Sequence, residues 1–140
     1  MQKDKADVGK TRDVGYQIGV RRTMPVKCEK AWQILTSAKG AALWLGGDSG
    51  IRLKKGENYH LPDGSTGEVR ICKANSHLRI TWQPEDWDRP STIQIRVIPN
   101  GENTIVAFHQ ENLPDSKSRE ERRKFFVDVL QKFEDILNTE

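Results

Sequence analysis

Cysteine is scarce in this chain, and nothing in its spacing suggests a disulfide framework or a zinc site. Cys28 and Cys72 are the only cysteines among 140 residues, and neither belongs to a pair at the short spacing that zinc ligands share. We expect both to remain reduced and structural. This argues against the class of small secreted domains that are stapled by disulfides.

Long apolar runs are also missing. A membrane helix needs about 18 consecutive apolar residues, and no segment of the sequence approaches that length. Residues 1–14 alternate lysine, arginine and aspartate and contain no apolar stretch of the kind found in signal peptides. We therefore expect a flexible tail over residues 1–14, no membrane partner, and a cytoplasmic protein.

No large excess of one charge marks the chain. Its 23 lysine and arginine residues and 20 aspartate and glutamate residues leave a net charge of +3, and both signs are spread along the sequence. Proteins that bind nucleic acid usually concentrate basic residues on one face or helix, so no nucleic acid partner is expected. The length suits a single domain, which we place at residues 15–140.

Recognisable catalytic motifs are absent as well. His60, His77 and His109 stand in different segments, without the spacing that would bring two of them together as metal ligands. The sequence has no nucleophile elbow, phosphate-binding loop or dinucleotide fingerprint. We predict no catalytic residue, no metal site and no cofactor, which favours a non-enzymatic role.

What the chain does contain is a succession of strand and helix patterns. Residues 16–20 alternate apolar side chains with polar residues or glycine, which predicts a strand with one buried face. Residues 26–37 carry apolar side chains at helical spacing, and residues 40–45 form a second short helix that stops at the glycine pair beginning with Gly46. Two short helices are thus expected to follow the first strand.

Residues 51–113 predict an antiparallel meander, because short apolar segments alternate with turns rich in glycine, proline, asparagine, aspartate and serine. Side chains at spacing two should form one inward face. They are Gly67, Val69 and Ile71; Leu78, Ile80 and Trp82; Ile93, Ile95 and Val97; and Val106 and Phe108.

Cys72 falls on the opposite, mostly polar face. On that face Ile98, Ile105 and Ala107 are either a self-association patch or scattered exposed apolar residues, so a monomer or a weak homodimer is expected.

The last segment predicts the longest helix. Its start is placed at residues 116–118, where Ser118 and Glu121 have the capping-box spacing. An apolar stripe then recurs at three- and four-residue steps, and its members are Phe126, Val129, Leu130, Phe133, Ile136 and Leu137. Because such a stripe needs a sheet to bury it, the predicted fold class is α+β, a curved antiparallel sheet of about six or seven strands around the C-terminal helix.

Several single residues and short motifs within residues 15–138 form a recognisable series. They are Pro25, Ala31 with Trp32, Leu35 with Thr36, Trp44 before glycines, Gly64, Gly67 with Glu68 and Val69, residues 78–82, residues 104–108, and Leu113 with Pro114. Together with the terminal amphipathic helix, this series resembles the family of homologues of the activator of the ninety-kilodalton heat-shock protein's ATPase. That family lies in the Bet v 1-like, START-related superfamily, also called SRPBCC, and the resemblance implies its helix-grip fold.

The resemblance also implies a ligand cavity between the sheet and the C-terminal helix. The candidate ligand-binding side chains are Trp44, Tyr59, Trp82, Phe108, Gln110, Arg122 and Phe126. The aromatic members have a simpler explanation as core residues. Gln110, whose amide should point inward, can be satisfied by a backbone or water contact instead of a ligand, and Arg122 can belong to a solvated helix face.

Trp87 stands apart, within the polar loop at residues 83–90. It either folds back as a lid or anchors a protein partner, and it is the candidate partner-binding residue.

Three functions remain open. The first is a domain that binds a small hydrophobic or amphipathic ligand. The second, implied by the resemblance, is a protein-interaction or co-chaperone-like role with a chaperone as candidate partner. The third and last in rank is an enzyme of cyclase, aromatase or hydrolase type, which some relatives in the superfamily are.

Overall fold

The computed structural model describes residues 10–11, 15–46 and 52–139. In chain order the elements are β1 (Lys10–Thr11), β2 (Gly15–Met24), α1 (Cys28–Thr36), α2 (Ala38–Leu45), β3 (Asn58–His60), β4 (Thr66–Lys73), β5 (His77–Trp82), β6 (Ser91–Asn100), β7 (Asn103–Leu113) and α3 (Ser116–Asn138). Within the segment predicted as a tail, residues 10–11 pair with the start of β2. The other residues of that segment lie outside the described ranges.

The described strands form one antiparallel sheet in the order β1-β2-β7-β6-β5-β4-β3. The longest strands, β2, β7 and β6, have 10, 11 and 10 residues and lie side by side. α3 packs against β2 and β7, and its buried residues are Phe126, Val129, Leu130 and Phe133. The predicted α+β helix-grip fold, with two short helices after the first long strand, is confirmed.

A tight corner joins α1 to α2. The hydroxyl oxygen of Ser37 accepts a hydrogen bond from the backbone N–H of Gly40 at 3.0 Å and so caps α2. Gly40 permits this approach, because a Cβ there would collide with the carbonyl oxygen of Ile34. α2 ends at Leu45, and Gly46 caps it, as predicted, with a left-handed φ of 78°. The second glycine of that prediction, Gly47, lies outside the described residues.

β4 contains a bulge that reverses the predicted direction of two side chains. Its register with β5 shifts between Val69 and Ile71, so that Ile71 lies opposite Arg79. Cys72 then lies opposite the buried Leu78. Ile71 is therefore exposed and Cys72 is half-buried against the core, and the inward placement of Ile71 was wrong.

The outer face of the sheet carries the apolar residues that the sequence singled out. Ile98 pairs with Ile105 across β6 and β7. Ile98 is exposed, whereas Ile105 and Ala107 are half-buried. Both explanations of these residues, a weak self-association patch and scattered apolar side chains, therefore stay predictions about the oligomeric state.

α3 begins at Ser116, within the predicted window, but its capping residue differs from the prediction. Asp115 is the N-cap, and its carboxylate accepts a hydrogen bond from the backbone N–H of Ser118 at 2.7 Å. The capping box predicted for Ser118 and Glu121 is therefore wrong. Aspartate and serine both cap helices well. Because β7 ends at Leu113 and α3 begins at Ser116, Asp115 occupies the N-cap position and Ser118 lies inside the helix.

Candidate functional site

One end of the sheet brings together the polar side chains that face α3. β5 ends at Trp82, directly opposite Ser91, the first residue of β6. Gln110 lies near the end of β7, the strand that leads into α3. Arg122, in the second turn of α3, reaches Gln110 with its side chain. The short connection from β7 to α3 thus places a cation over the ends of β5 and β6.

A series of hydrogen bonds sets the orientation of the Gln110 amide. The hydroxyl of Ser91 donates to the carbonyl oxygen of Trp82 at 2.8 Å, and its oxygen accepts from Gln110 Nε2 at 2.8 Å. The amide oxygen of Gln110 must then face the other way, where it accepts from Arg122 Nε at 2.9 Å. Gln110 is fully buried and points inward, as its position in the strand predicts, and its partners are side chains.

The guanidinium of Arg122 lies among three aromatic rings. Its Cζ atom is 4.1 Å from the ring centre of Trp82, 4.3 Å from that of Phe125 and 4.9 Å from that of Phe126. These distances are in the range of cation–π attraction. Behind this group, Phe126 stacks on Phe108 with ring centres 4.8 Å apart. We call Arg122 with Trp82, Phe125 and Phe126 the Arg122 cage.

No described carboxylate neutralises the Arg122 cage. Within residues 15–46 and 52–139, Nε of Arg122 donates to Gln110, and neither Nη1 nor Nη2 takes part in a hydrogen bond or an ion pair. The next residue, Arg123, instead pairs with Glu120 at 3.5 Å on the exposed side of α3. Burial lowers the pKa of Arg122 to about 10, and Tyr59 acts in the opposite direction. Arg122 therefore stays cationic at neutral pH.

Tyr59 lies close enough to Arg122 for each side chain to influence the pKa of the other. Its hydroxyl donates to the carbonyl oxygen of Thr81 at 2.6 Å. Burial raises the pKa of Tyr59 far above its ordinary value, so the phenol is neutral. Gly67 makes room for the ring, because a Cβ there would collide with both the Thr81 carbonyl oxygen and the ring of Tyr59.

Trp87 folds back onto the protein. Its ring meets the ring of Trp82 edge-on, with centres 5.3 Å apart and planes inclined at 75°. The side-chain amide of Gln83 donates to the Trp87 carbonyl oxygen at 2.7 Å and helps to shape the loop. Trp87 is half-buried against the core. This geometry matches the lid alternative, and the role of Trp87 in binding a partner stays a prediction.

One polar atom of Trp82 has no hydrogen-bond partner among the described residues. It is the indole Nε1–H, which is buried. A buried donor of this kind is rare and costs about 1–3 kcal/mol. Trp82 borders a surface depression of about 470 Å³, whose other lining residues are Asp63, Ser65, Pro84, Glu85 and Asp86. The ring thus links this depression to the Arg122 cage.

The remaining predicted site residues lie in the core. Trp44 is buried, and its indole N–H donates to the carbonyl oxygen of Leu35 at 2.8 Å, so its polar atom is satisfied within the α1–α2 pair. Phe108 is buried too and stacks behind Phe126, which is a buried member of the cage. Of the predicted ligand-binding residues, contacts in and around the cage connect Trp82, Phe108, Gln110, Arg122 and Phe126, and Tyr59 acts on Arg122 electrostatically. Whether these residues bind a ligand stays a prediction.

Two members of the arrangement were missing from the prediction. Phe125 stands three residues after Arg122, a spacing that places side chains together on a helix surface. Ser91 continues the inward series of Ile93 and Ile95 by one step of two residues, so its inward position could have been inferred from the strand pattern. The neighbouring charged residues of α3 hid the first signal, and the small size of serine hid the second.

Two further observations describe what the molecule contains. Across the described ranges, no three histidine, cysteine, aspartate or glutamate side chains gather as a metal site would require. None of the described helices has both the length and the apolar character needed to cross a membrane. What the site offers chemically is a cation between aromatic faces. Among the described residues, the buried indole N–H of Trp82 has no acceptor, and the hydrogen bond recorded for the Arg122 guanidinium is the one from Nε to Gln110.

The sequence matches the model of one protein family over residues 25–138, which is more than half of the chain. That family is described as Activator of Hsp90 ATPase homolog 1-like protein. No curated protein matches the chain.

Solved structures of similar fold come from several organisms. A protein from Mesorhizobium loti is 21% identical with a TM-score of 0.73, and the match covers 88% of this chain and 97% of that one. An HSP90 activator from Plasmodium falciparum is 20% identical with a TM-score of 0.72, over 87% of this chain and 96% of that one. A protein from Micromonospora echinospora is 18% identical with a TM-score of 0.72, over 86% and 73%. At these identities the likeness shows the fold alone.

Proposed function

This chain belongs to the family of Activator of Hsp90 ATPase homolog 1-like proteins, as its sequence pattern predicts, and we propose that it binds a small amphipathic molecule between the sheet and α3. One observation carries the proposal. The guanidinium of Arg122 is held among three aromatic rings, and within the described ranges its Nη1 and Nη2 atoms have no acceptor.

A cation in this position is poorly compensated without a ligand. Moving a charged group from water into apolar surroundings is unfavourable unless it is paired, and cation–π contacts offset only about 0.5–2 kcal/mol each. A bound molecule that supplied a negatively charged acceptor would give Nη1 and Nη2 charge-assisted hydrogen bonds, which are stronger than bonds to neutral acceptors. Its apolar part would pack on Trp82 and Phe125, which are both half-buried. Apolar walls with a few polar groups are typical of small-molecule sites.

Binding fits the arrangement better than catalysis. General acid–base chemistry needs a carboxylate, an imidazole or a similar group that exchanges protons near neutral pH. The described contacts of Arg122 are made with aromatic rings and the Gln110 amide, and the Tyr59 phenol that acts on it electrostatically is neutral. These groups suit recognition and do not supply a proton donor and acceptor pair.

The indole resonances of the protein test the proposal. Decan-1-ol and decanoate, titrated separately below their aggregation limits, are expected to shift the Trp82 and Trp87 indole N–H signals saturably. Trp44 is the internal control, because its indole is already bonded to Leu35. A bound ligand should also raise the melting temperature by mass action, since about 100-fold excess over Kd adds about 2.7 kcal/mol. No saturable shift for either probe, or an equal shift at Trp44, would contradict the proposal.

Phe125, one of the aromatic rings around Arg122, allows the binding site to be tested with a variant and a matched control. Phe125→Ala is expected to weaken decan-1-ol binding by about tenfold, since it removes an aromatic face from the site. Val127→Ala, two residues along the same helix, removes an exposed apolar side chain and should leave binding unchanged. Equal affinity of both variants for decan-1-ol would place the binding site elsewhere.

A second candidate function is protein binding of the co-chaperone kind, which the family match over residues 25–138 favours. If the chain acts in this way, it should raise the ATPase rate of a purified Hsp90 chaperone, and Trp87→Ala should reduce that effect. An ATPase rate that the chain does not change would count against this candidate.

A further inference from the structure

We infer that the polar end of the ligand is a carboxylate, bound end-on by Nη1 and Nη2 of Arg122. This inference rests on the proposed function and specifies the ligand class of the same site. Three features of the described residues carry it: the edge of the guanidinium that remains free, the charge that remains unpaired, and the apolar surface beside it.

The hydrogen bond to Gln110 determines which edge of the Arg122 guanidinium remains free. A guanidinium can pair with a carboxylate through Nε and one Nη, or end-on through both Nη atoms. Nε of Arg122 is taken by the Gln110 amide oxygen at 2.9 Å. Gln110 cannot exchange its oxygen for its nitrogen without losing the bond from Nε2 to Ser91. The end-on edge is therefore the one left for a planar, two-oxygen acceptor.

The Arg122 cage itself contains a single charge, that of Arg122. Glu120, on the same turn of α3, is shared by Arg119 at 3.4 Å and Arg123 at 3.5 Å. Glu121 is exposed. A monoanion would therefore neutralise the Arg122 cage, whereas a phosphate dianion would bring a surplus negative charge among aromatic rings, which is unfavourable. Charge balance favours a carboxylate over a phosphate.

The apolar surface beside the guanidinium predicts the other end of the ligand. Trp82 and Phe125 flank Arg122 and remain half-buried. A carboxylate without an apolar body would leave these rings uncovered and would gain little over water. The expected ligand is thus an organic acid whose aliphatic or aromatic body covers them.

Isothermal titration with three probes that share one chain length tests the inference: decanoate, decan-1-ol and decyl phosphate. Wild-type protein is expected to bind decanoate at least about tenfold more tightly than decan-1-ol, because charge-assisted bidentate bonds are strong. Arg122→Gln should abolish this difference and leave the decan-1-ol affinity within about twofold. The matched control is Arg123→Gln, which removes the same charge one residue away on the exposed side and should preserve the preference.

A second variant keeps the test decisive if Arg122→Gln does not unfold cooperatively. Gln110→Glu places a carboxylate of the protein within reach of Arg122, so it should lower decanoate affinity at least about tenfold and spare decan-1-ol. Decanoate and decan-1-ol binding equally well, with no effect of either variant, would overturn the carboxylate and leave the binding site standing. Tighter binding of decyl phosphate would also overturn it. Binding of none of the three probes would overturn the proposed function itself.

Discussion

The amide of Gln110 joins two strands and a helix through one side chain. Its nitrogen donates to Ser91 on β6, and its oxygen accepts from Arg122 on α3. Both ends of a fully buried amide are thus used inside the protein. Removing it would leave two partners without a bond, and buried groups without partners cost more than the average hydrogen bond contributes.

Gln110→Ala is therefore expected to lower the free energy of unfolding by about 2–3 kcal/mol. Urea unfolding followed by tryptophan fluorescence measures the change. Gln33→Ala is the control, because Gln33 is exposed on α1 and its loss should cost less than about 0.5 kcal/mol. Equal stability of the two variants would show that the amide does not hold these elements together.

Gly67 is the second residue whose identity is set by its neighbours. A methyl group there would meet the backbone carbonyl of Thr81 and the ring of Tyr59, and neither is the flexible end of a long side chain. We expect Gly67→Ala to cost about 2 kcal/mol or more, as overpacking in a core does, and to weaken the bond from Tyr59 to Thr81. Thermal unfolding and near-ultraviolet circular dichroism measure the two effects.

Gly19→Ala is the matched control for that change. It also lies in a strand, but an added Cβ would meet its nearest atom, His109 Cδ2, at an ordinary 3.8 Å. Its expected effect on the free energy of unfolding is within about 0.5 kcal/mol. If Gly67→Ala were as mild as Gly19→Ala, the close approach of Tyr59 would have to be less restrictive than the contacts indicate.

Among the elements, α3 depends most on how it begins. The Asp115 carboxylate accepts a hydrogen bond from the backbone of Ser118, and this bond lowers the pKa of Asp115 below its ordinary value. Since the folded state favours the ionised cap, the contribution of Asp115 is complete above the pKa of the unfolded chain. It is lost as the pH falls through the lower pKa of the folded state.

Asp115→Ala is accordingly expected to lower the free energy of unfolding by about 1 kcal/mol at pH 7, as for other N-cap aspartates. The difference from wild type should shrink as the pH falls below about 4. Urea unfolding at a series of pH values measures it. Asp128→Ala, an exposed change within the same helix, should cost less than about 0.5 kcal/mol at pH 7. A constant gap for Asp115→Ala down to the lowest pH would contradict the capping role.

For the molecule as a whole, the order of strands determines where the sheet opens first. β7 is bonded to β2 on one side and to β6 on the other, whereas β3, with 3 residues, forms one edge of the described sheet. Edge strands open locally, while central strands exchange their amide hydrogens only through larger unfolding events. The packing of α3 on the sheet therefore depends on β2 and β7, the strands that the helix contacts.

Hydrogen exchange measured by nuclear magnetic resonance tests this ranking. Bonded amides of β7 and β6 are expected to exchange at least about 100-fold more slowly than those of β3, after correction for intrinsic rates. Their exchange should report the same free energy as global urea unfolding. Protection of β3 equal to that of β7 would contradict the ranking and would indicate that the whole sheet opens in one step.

Much of this arrangement could be predicted because it depends on local spacing. Alternation in the strands and the apolar stripe of α3 follow from backbone geometry, which repeats every two or about 3.6 residues. Gln110 was placed inward by the same rule, and Gly46 ended α2 because a left-handed turn favours glycine. The family, too, was recognisable from scattered residues of the sequence.

What stayed out of reach depends on contacts between distant segments. Ile71 and Cys72 changed faces because β4 bulges against β5, and a bulge is a property of two paired backbones. Arg122 stands in a run of charged residues that is typical of a solvated helix face. Its enclosure by aromatic rings depends on how α3 crosses the ends of β5 and β6.

The sequence by itself determined the fold class, the family and most of the inward set of side chains, since these follow from periodicity and from residues tied to the fold. Only the tertiary structure decided which inward and helical residues meet. It brought a cation that has no carboxylate partner among the described residues together with half-buried aromatic rings and the buried, unpartnered indole N–H of Trp82. The physical reason is that side-chain direction repeats along a chain, whereas charge compensation depends on residues far apart in sequence.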